Sequence, residues 1–318
     1  VSQPRVLHVN DVAYVGSTLV NYAFAMGHPW RLAALPVGGA GRPGRFVARR
    51  AAALPGFLAA RARADVTHVH YAPNGYLGWG AKRFVLHCHG SDLRRDLHSR
   101  VLGPLARRSL RAADAVIVAT PDLLPLAQAV RPDALWLPNP VAELFFVRLG
   151  AESVPGRVVC NMRWEENKGA AELLTGVRAL CAAGVEVVGL DWGPAAPQAA
   201  AAGVRLVPKL LPAEFRELLA SATVVLGQLG EPILTLSDLQ ALAQGKPVIG
   251  RDGYEGAPLR DPGGDLAATV QQVLAEEAAK GPAQQEADAA ARRAWVRARH
   301  GEAVCLERLQ ELYHALGA

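Results

Sequence analysis

The sequence predicts an α/β protein of two doubly wound, Rossmann-like domains, and three observations carry that expectation. Short apolar runs alternate with longer helical patterns along all 318 residues, as parallel sheets with helices on both faces require. The charge divides unevenly. Residues 1–140 hold 17 Lys and Arg against 7 Asp and no Glu, a balance of +10, and residues 141–318 balance at −5. At that boundary Pro138-Asn139-Pro140 sets two φ-restricted residues in a stiff connector. The expected divisions are a first domain over 1–140, a second over 141–300 and a terminal helix over 301–318.

Bulk composition excludes several classes. With 51% apolar and 20% charged residues the chain is globular, not disordered. No apolar run approaches the roughly 20 residues of a membrane-spanning helix. The first ten residues lack a signal-peptide apolar region. Cys88, Cys160, Cys181 and Cys305 are scattered without a CxxC pair, as in proteins of a reducing compartment. A cytoplasmic location is therefore expected. The basic first half suggests an anionic partner, a lipid surface or a phosphorylated acceptor, although an Arg-rich composition alone would leave the same excess. Nucleic acid is not expected, because aromatic residues do not interleave with the basic ones.

Arg5–Asn10 reads as a strand, followed by a loop with Gly16 and a helical pattern from Leu19 to Met26. This opens a nucleotide-fold unit without the GxGxxG fingerprint. Leu32–Val37 reads as a second strand. In Pro43–Arg63, Arg45, Arg49, Arg50, Arg61 and Arg63 alternate with apolar residues around Pro55. Such a helix suits a membrane interface or the flank of a sheet equally well. Asp65–His70 and the strand entering His89-Gly-Ser-Asp92 end in polar clusters, where ligands of parallel sheets sit. Period-two alternation sends His68 and His70 to one face, and likewise His87 and His89. Without a matching Cys or carboxylate pattern, packed histidines are expected and a metal is not. Helices over Leu102–Ala112 and Leu123–Val130 and strands over Ala115–Val118 and Ala134–Leu137 complete the first half.

The second half restarts the pattern. Strands are expected over Arg157–Met162, Val185–Leu190, Val204–Val207 and Val224–Gly227, with helices ending near Leu180 and over Ala213–Ser221. Arg163 and Lys168-Gly169 lie in the loop entering the first helix. They are either solvated charges or a diphosphate clamp. Ser237–Gly250, SDLQALAQGKPVIG, reads as a helix capped by Ser237 with Asp238 in its first turn, stopped at Gly245 and leading into a strand. A loop over 252–256, a helix over Asp265–Leu274 and a surface helix over Ala275–Arg293 follow. Val304, Leu309, Leu312, Tyr313 and Leu316 recur at helical spacing.

The Ser237–Gly250 stretch resembles the donor-site segment of retaining glycosyltransferases of the GT-B fold, family 4 type. Those carry a Glu, seven residues, a second Glu, then Ala and Gly-x-Pro-Val. Ala241–Val248 matches the tail. Gln240 stands at the second Glu, and the first falls on Pro232, with Glu231 one place off. His89-Gly-Ser-Asp92 looks like the family's His-Gly motif, and Pro138-Asn-Pro-Val141 resembles its hinge. Arg163 and Lys168-Gly169 keep the spacing of its Gly-Arg, four residues, Lys-Gly, with Asn161-Met162 before the Arg.

The resemblance implies a GT-B protein with the nucleotide in the second domain, the acceptor in the first, and the last helix crossing back. It implies catalytic roles for His89, Glu231 and Asp238, and diphosphate contacts from Arg163, Lys168 and Gly16. Ser237, Leu239 and Gln240 would meet the sugar or ribose, and His70, Ser91 and Asp92 the acceptor cleft. The donor would be a UDP- or GDP-type sugar, with no metal and no other cofactor. The acceptor would be a glycan or lipid-linked, met peripherally at the inner face of an anionic membrane. Loss of the family acids leaves open a non-catalytic nucleotide-sugar module. A nucleotide-sugar epimerase shares the fold, but the first half has no Glu for paired acid–base work.

Overall fold

The central apolar runs become strands whose β-branched residues are buried on both faces, as a helix-covered parallel sheet allows. The computed structural model describes residues 3–36, 43–147, 153–251 and 256–318. It divides into two compact units: Val1–Pro140 with Glu302–Ala318, and Val141–Gly301.

In the first unit, β1 (Val6–Val9), α1 (Val15–Ala25), β2 (Arg31–Ala33), α2 (Pro43–Arg63) and β3 (Val66–His70) follow in order. Then come β4 (Phe84–Cys88), the short α3 (Ser91–Arg94), α4 (Leu102–Ala112), β5 (Ala115–Val118), α5 (Leu123–Gln128) and β6 (Leu135–Trp136). All pairings are parallel in the order β2-β1-β3-β4-β5-β6, so the direction of winding reverses between β1 and β3. Leu7, Val9, Val69, Leu86, Cys88, Val116 and Val118 turn one way, into the main apolar core of this unit. On the other face His8 lies beside His68, and His70 beside His87.

The second unit carries β7 (Val158–Cys160), α6 (Ala170–Ala182), β8 (Val187–Leu190), α7 (Ala196–Ala201), β9 (Arg205–Val207), α8 (Pro212–Ala220) and β10 (Val224–Leu226). After these come α9 (Leu236–Ala243), β11 (Val248–Ile249), β12 (Leu259–Arg260), α10 (Leu266–Ala279) and α11 (Pro282–His300). The sheet order β12-β11-β10-β7-β8-β9 puts its reversal between β7 and β10. Its core is separate and gathers Trp164, Leu173, Val177 and Leu226 around these strands. The first and last residues of the unit, Val141 and Gly301, pair side by side, and the Val141 N–H donates to the His300 carbonyl at 2.7 Å.

The final helix, α12 (Glu302–Ala315), belongs to the first unit and packs against α1. Tyr313 is fully buried and donates or accepts at His68 Nδ1, 2.6 Å away.

Several local expectations change. α1 starts at Val15, four residues before the apolar pattern suggested, because a left-handed Tyr14 (φ 64°) turns the chain directly into the helix. The surface helix expected over Ala275–Arg293 is two helices, since Lys280 leaves the helical conformation and Pro282 opens the next helix at a position where its missing N–H is harmless. The loop expected over 252–256 lies outside the described residues except for Gly256, and the β2 expectation loses Val37 in the same way.

Candidate functional site

The sheet reversals mark where ligands of doubly wound folds bind, beyond the carboxyl ends of the flanking strands. In the second unit those ends lead into Asn161–Gly169 after β7 and Gly227–Thr235 after β10.

Two glycines press these loops together. Gly169 has φ +76°, and a Cβ there would lie 2.8 Å from the Gly230 nitrogen. A Cβ on Gly230 would lie 2.4 Å from the Asn167 carbonyl oxygen, so neither position accepts a side chain. The Leu229 N–H closes the contact onto the Lys168 carbonyl at 3.0 Å. Lys168 and Arg163 thereby sit in one loop at the head of α6, both half-buried. Arg163 pairs with Glu165 at 3.2 Å, and its guanidinium lies over Trp192, 5.2 Å from the ring centre.

The β10–α9 loop is tied by a residue that the motif reading did not single out. Gln228 is buried; its Oε1 accepts from the Glu231 N–H at 3.1 Å, and its Nε2 donates to the Ile233 carbonyl at 3.1 Å and to the Glu231 carbonyl. Glu231 is thus held by its backbone beside the clamped glycines. A Gln two residues before the Gly230-Glu231 pair was the available signal.

At the start of α9 the expectation is corrected. The N-cap is Thr235, not Ser237, and Asp238 is the third helical residue of a reciprocal capping box. The Asp238 carboxylate accepts from the Thr235 N–H at 2.8 Å, the Thr235 hydroxyl at 2.7 Å and Asn161 Nδ2 at 3.0 Å. A Cβ on Gly227 would lie 2.5 Å from Asp238 Oδ1. Burial pushes the Asp238 pKa up, while the bonds from Thr235 and Asn161 and the Lys168 charge oppose that shift. This carboxylate fastens β7, β10 and α9 together and is not placed as a reacting group. Leu239 is 1% exposed and its N–H donates to the Thr235 carbonyl. Ser237 and Gln240 are half-exposed on the helix. The N–H groups of Leu236 and Ser237 have no acceptor among the described residues, which leaves a helix N-terminus open to an anion.

In the first unit the reversal brings His8, His68, His70, His87 and His89 together. Their rings stack, for example His87 on His89 at 4.2 Å and His8 on His68 at 4.4 Å. Two trios, His8–His68–His70 and His70–His87–His89, each bring ring nitrogens within 4.8 Å of one another. Burial holds all five well below the ordinary histidine pKa, with His70 down to about 3. His89 alone of the five is half-exposed.

The other expected residues of this unit have structural duties. Gly16 lies in the first turn of α1. Its N–H donates to Asp11 Oδ1 at 2.9 Å, and a Cβ would stand 3.2 Å from His70 Nε2. Asp92 is fully buried and accepts from the backbone of Ala72, His89, Gly90 and Leu93 at 2.7–3.1 Å. It anchors the turn that carries His89. Ser91 is exposed, with its hydroxyl 3.2 Å from Tyr71 Oη. His8 and Tyr313 were missed as members of this array. Period-two alternation in β1 could have found His8, whereas Tyr313 is distant in sequence from its partner.

No curated protein sequence matches the chain. Residues 21–135 match the family model described as a glycosyl transferase 4-like domain. Among solved structures, HepE of Anabaena in complex with UDP and glucose is similar over 98% of this chain and 99% of its own, at 15% identity and TM-score 0.67. Sucrose-phosphate synthase from Thermosynechococcus elongatus is similar over 98% and 99%, at 16% identity and TM-score 0.69. An alpha-glucosyltransferase in complex with UDP and a mismatched 13-mer DNA is similar over 97% and 99%, at 11% identity and TM-score 0.72. Residues 21–135 are thus similar to a glycosyl transferase 4-like domain, and the whole chain shares the two-domain fold of these structures.

Proposed function

We propose that this chain is a retaining glycosyltransferase that takes a sugar from a UDP- or GDP-type donor. The observation that carries the reading is the clamped loop with Arg163 and Lys168, beside the open N-terminus of α9. Departure of the sugar builds negative charge on the diphosphate. Two cations and a helix N-terminus would stabilise that charge where other transferases use a divalent ion. Glu231, the carboxylate of the β10–α9 loop, would accept from sugar hydroxyls, and Gln240 from a ribose hydroxyl. In the first unit His89 would hydrogen-bond the transferred sugar.

Calorimetry with UDP and GDP tests the donor site. Arg163→Ala and Lys168→Ala should each weaken binding by about 1.5–3 kcal/mol, the size of a charge-assisted hydrogen bond. Unchanged affinity in both would move the pocket elsewhere. His89→Ala should abolish donor hydrolysis and leave nucleotide affinity in place.

A second reading, a nucleotide-sugar module without catalysis, is favoured by one observation: Asp238 is committed to the cap and Gln240 is neutral. Tight nucleotide binding with no hydrolysis or transfer from any donor would select it.

For the acceptor we propose a glycan or lipid-linked substrate at an anionic membrane surface, with the protein peripheral at its cytoplasmic side. Support comes from the +10 balance of residues 1–140 and from the exposed basic face of α2.

A further inference from the structure

The histidine face holds a directional feature that the donor site does not explain. His8 Nδ1 lies 3.0 Å from His70 Nε2, and His70 Nδ1 lies 2.8 Å from His89 Nε2. Convergence on a metal fits poorly, because the stacked rings of the array lie within 17–29° of parallel. In both pairs, with centroids 5.3 and 5.0 Å apart, the nitrogens face each other edge to edge, so their in-plane directions aim at one another and not at a common third point. A row of hydrogen bonds accounts for the same contacts.

A neutral imidazole has one N–H and one lone pair, so the protons of such a row must all point one way. Running outward, His8 Nδ1–H donates to His70, and His70 Nδ1–H donates to His89. His89 then keeps its own proton on Nδ1. Running inward, every proton sits on Nε2 and His89 Nδ1 is a bare lone pair. The two directions differ at the buried end. His8 Nε2 has no partner among the described residues, and neither has the indole Nε1–H of Trp30. These two rings are neighbours, with centroids 5.3 Å apart. The indole is a donor in every state. The outward direction leaves one buried donor without an acceptor, the indole, whereas the inward one leaves two, and an orphaned buried N–H carries a full desolvation cost.

We propose that His8 and His70 are positioning residues that hold His89 as its Nδ1–H tautomer, so that His89 meets substrate as a hydrogen-bond donor and not as a base. The sugar as its target rests on the function proposed above; the tautomer does not. Burial supports the neutral state that the row needs.

Long-range proton–nitrogen spectra of the full chain, labelled with 15N-histidine and free of nucleotide sugar, read which ring nitrogen is protonated. His8, His70 and His89 should all carry the proton on Nδ1, against the Nε2 preference of imidazole in water. In His70→Phe, which keeps a stacking ring but removes the donor, His89 should return to Nε2–H. The same variant should lower kcat of donor turnover about tenfold, the loss of one neutral hydrogen bond, with KM little changed. A proton on Nε2 of His70 or His89 in the wild type overturns the proposal without any variant having to fold. An Nδ1–H on His89 that survives His70→Phe overturns the positioning role. Three Nδ1–H rings with turnover indifferent to His89→Ala would keep the row and remove the sugar contact.

Discussion

Asp238 shows how the same residue type can be read as chemistry in a motif and as architecture in the fold. Its two oxygens receive three donors, two from the Thr235 cap of its own helix and one from Asn161, and Gly227 leaves room for them. Asp238→Ala would leave Asn161 Nδ2 and the Thr235 donors short of an acceptor and would break the cap. The expected cost is about 2–3 kcal/mol, read as a shift of the denaturant midpoint. A variant of wild-type stability with lost turnover would return Asp238 to a reacting role. Gly169→Ala and Gly230→Ala act on the same junction from outside the charge. Either should loosen nucleotide binding by separating the loops, whichever residue touches the phosphate.

At the scale of the element, α2 packs on the sheet, one of the two readings that the sequence left open. Phe57 is buried and packs with Ala53 and Ala60 onto the first core, so one face belongs to the sheet. Two of its arginines serve the fold: Arg50 donates to the Pro36 carbonyl and Tyr76 Oη, both at 2.6 Å, and Arg61 to the carbonyls of Leu77 and Trp79 at 3.0 and 2.8 Å. Val47, Leu54 and Leu58, spaced seven and four residues apart, form an exposed stripe on the same helix. Arg45, Arg49 and Arg63 are exposed as well. If α2 meets an anionic bilayer, Val47→Ser with Leu54→Ser should reduce retention on acidic vesicles severalfold, and added salt should reduce it further. Equal retention on neutral and acidic vesicles would remove the idea.

For the whole molecule, the buried imidazoles tie stability to pH. Each is held below its ordinary pKa of 6.5, so the unfolded chain binds more protons than the folded one at mildly acid pH. Stability is therefore full above about pH 6.5 and lost as the pH falls, for His70 down to about 3. Each such histidine contributes a slope of about 1.4 kcal/mol per pH unit. Buried Asp92 and Asp238 are shifted up from 3.8 and act in the opposite sense nearer that value, so the window from pH 6.5 to 5 belongs mainly to the histidines. Urea unfolding of the unit containing them at pH 7.5, 6 and 5 should show a steep loss. A flat profile would mean that the rings are not neutral and buried together.

The strand–helix alternation, the charge boundary and the Gly-Lys-Pro-Val tail are local in sequence, and they made the two doubly wound sheets legible. Hydrophobic burial acts on neighbouring residues with a fixed period, so pattern alone carries it. The spacing from Arg163 to Lys168 is local too, and it marked the loop that Gly169 and Gly230 clamp. Contacts between distant segments were not legible. Asn161 to Asp238, Tyr313 to His68 and the row from His8 through His70 to His89 depend on which strands become neighbours. Strand order decided that Asp238 and Asp92 anchor backbone and that Leu239 is core. By itself the sequence determined which residues are buried in strands and helices, because burial period is set residue by residue. Only the tertiary structure decided which polar side chains satisfy one another, because a hydrogen bond's partner is chosen by geometry across the sheet.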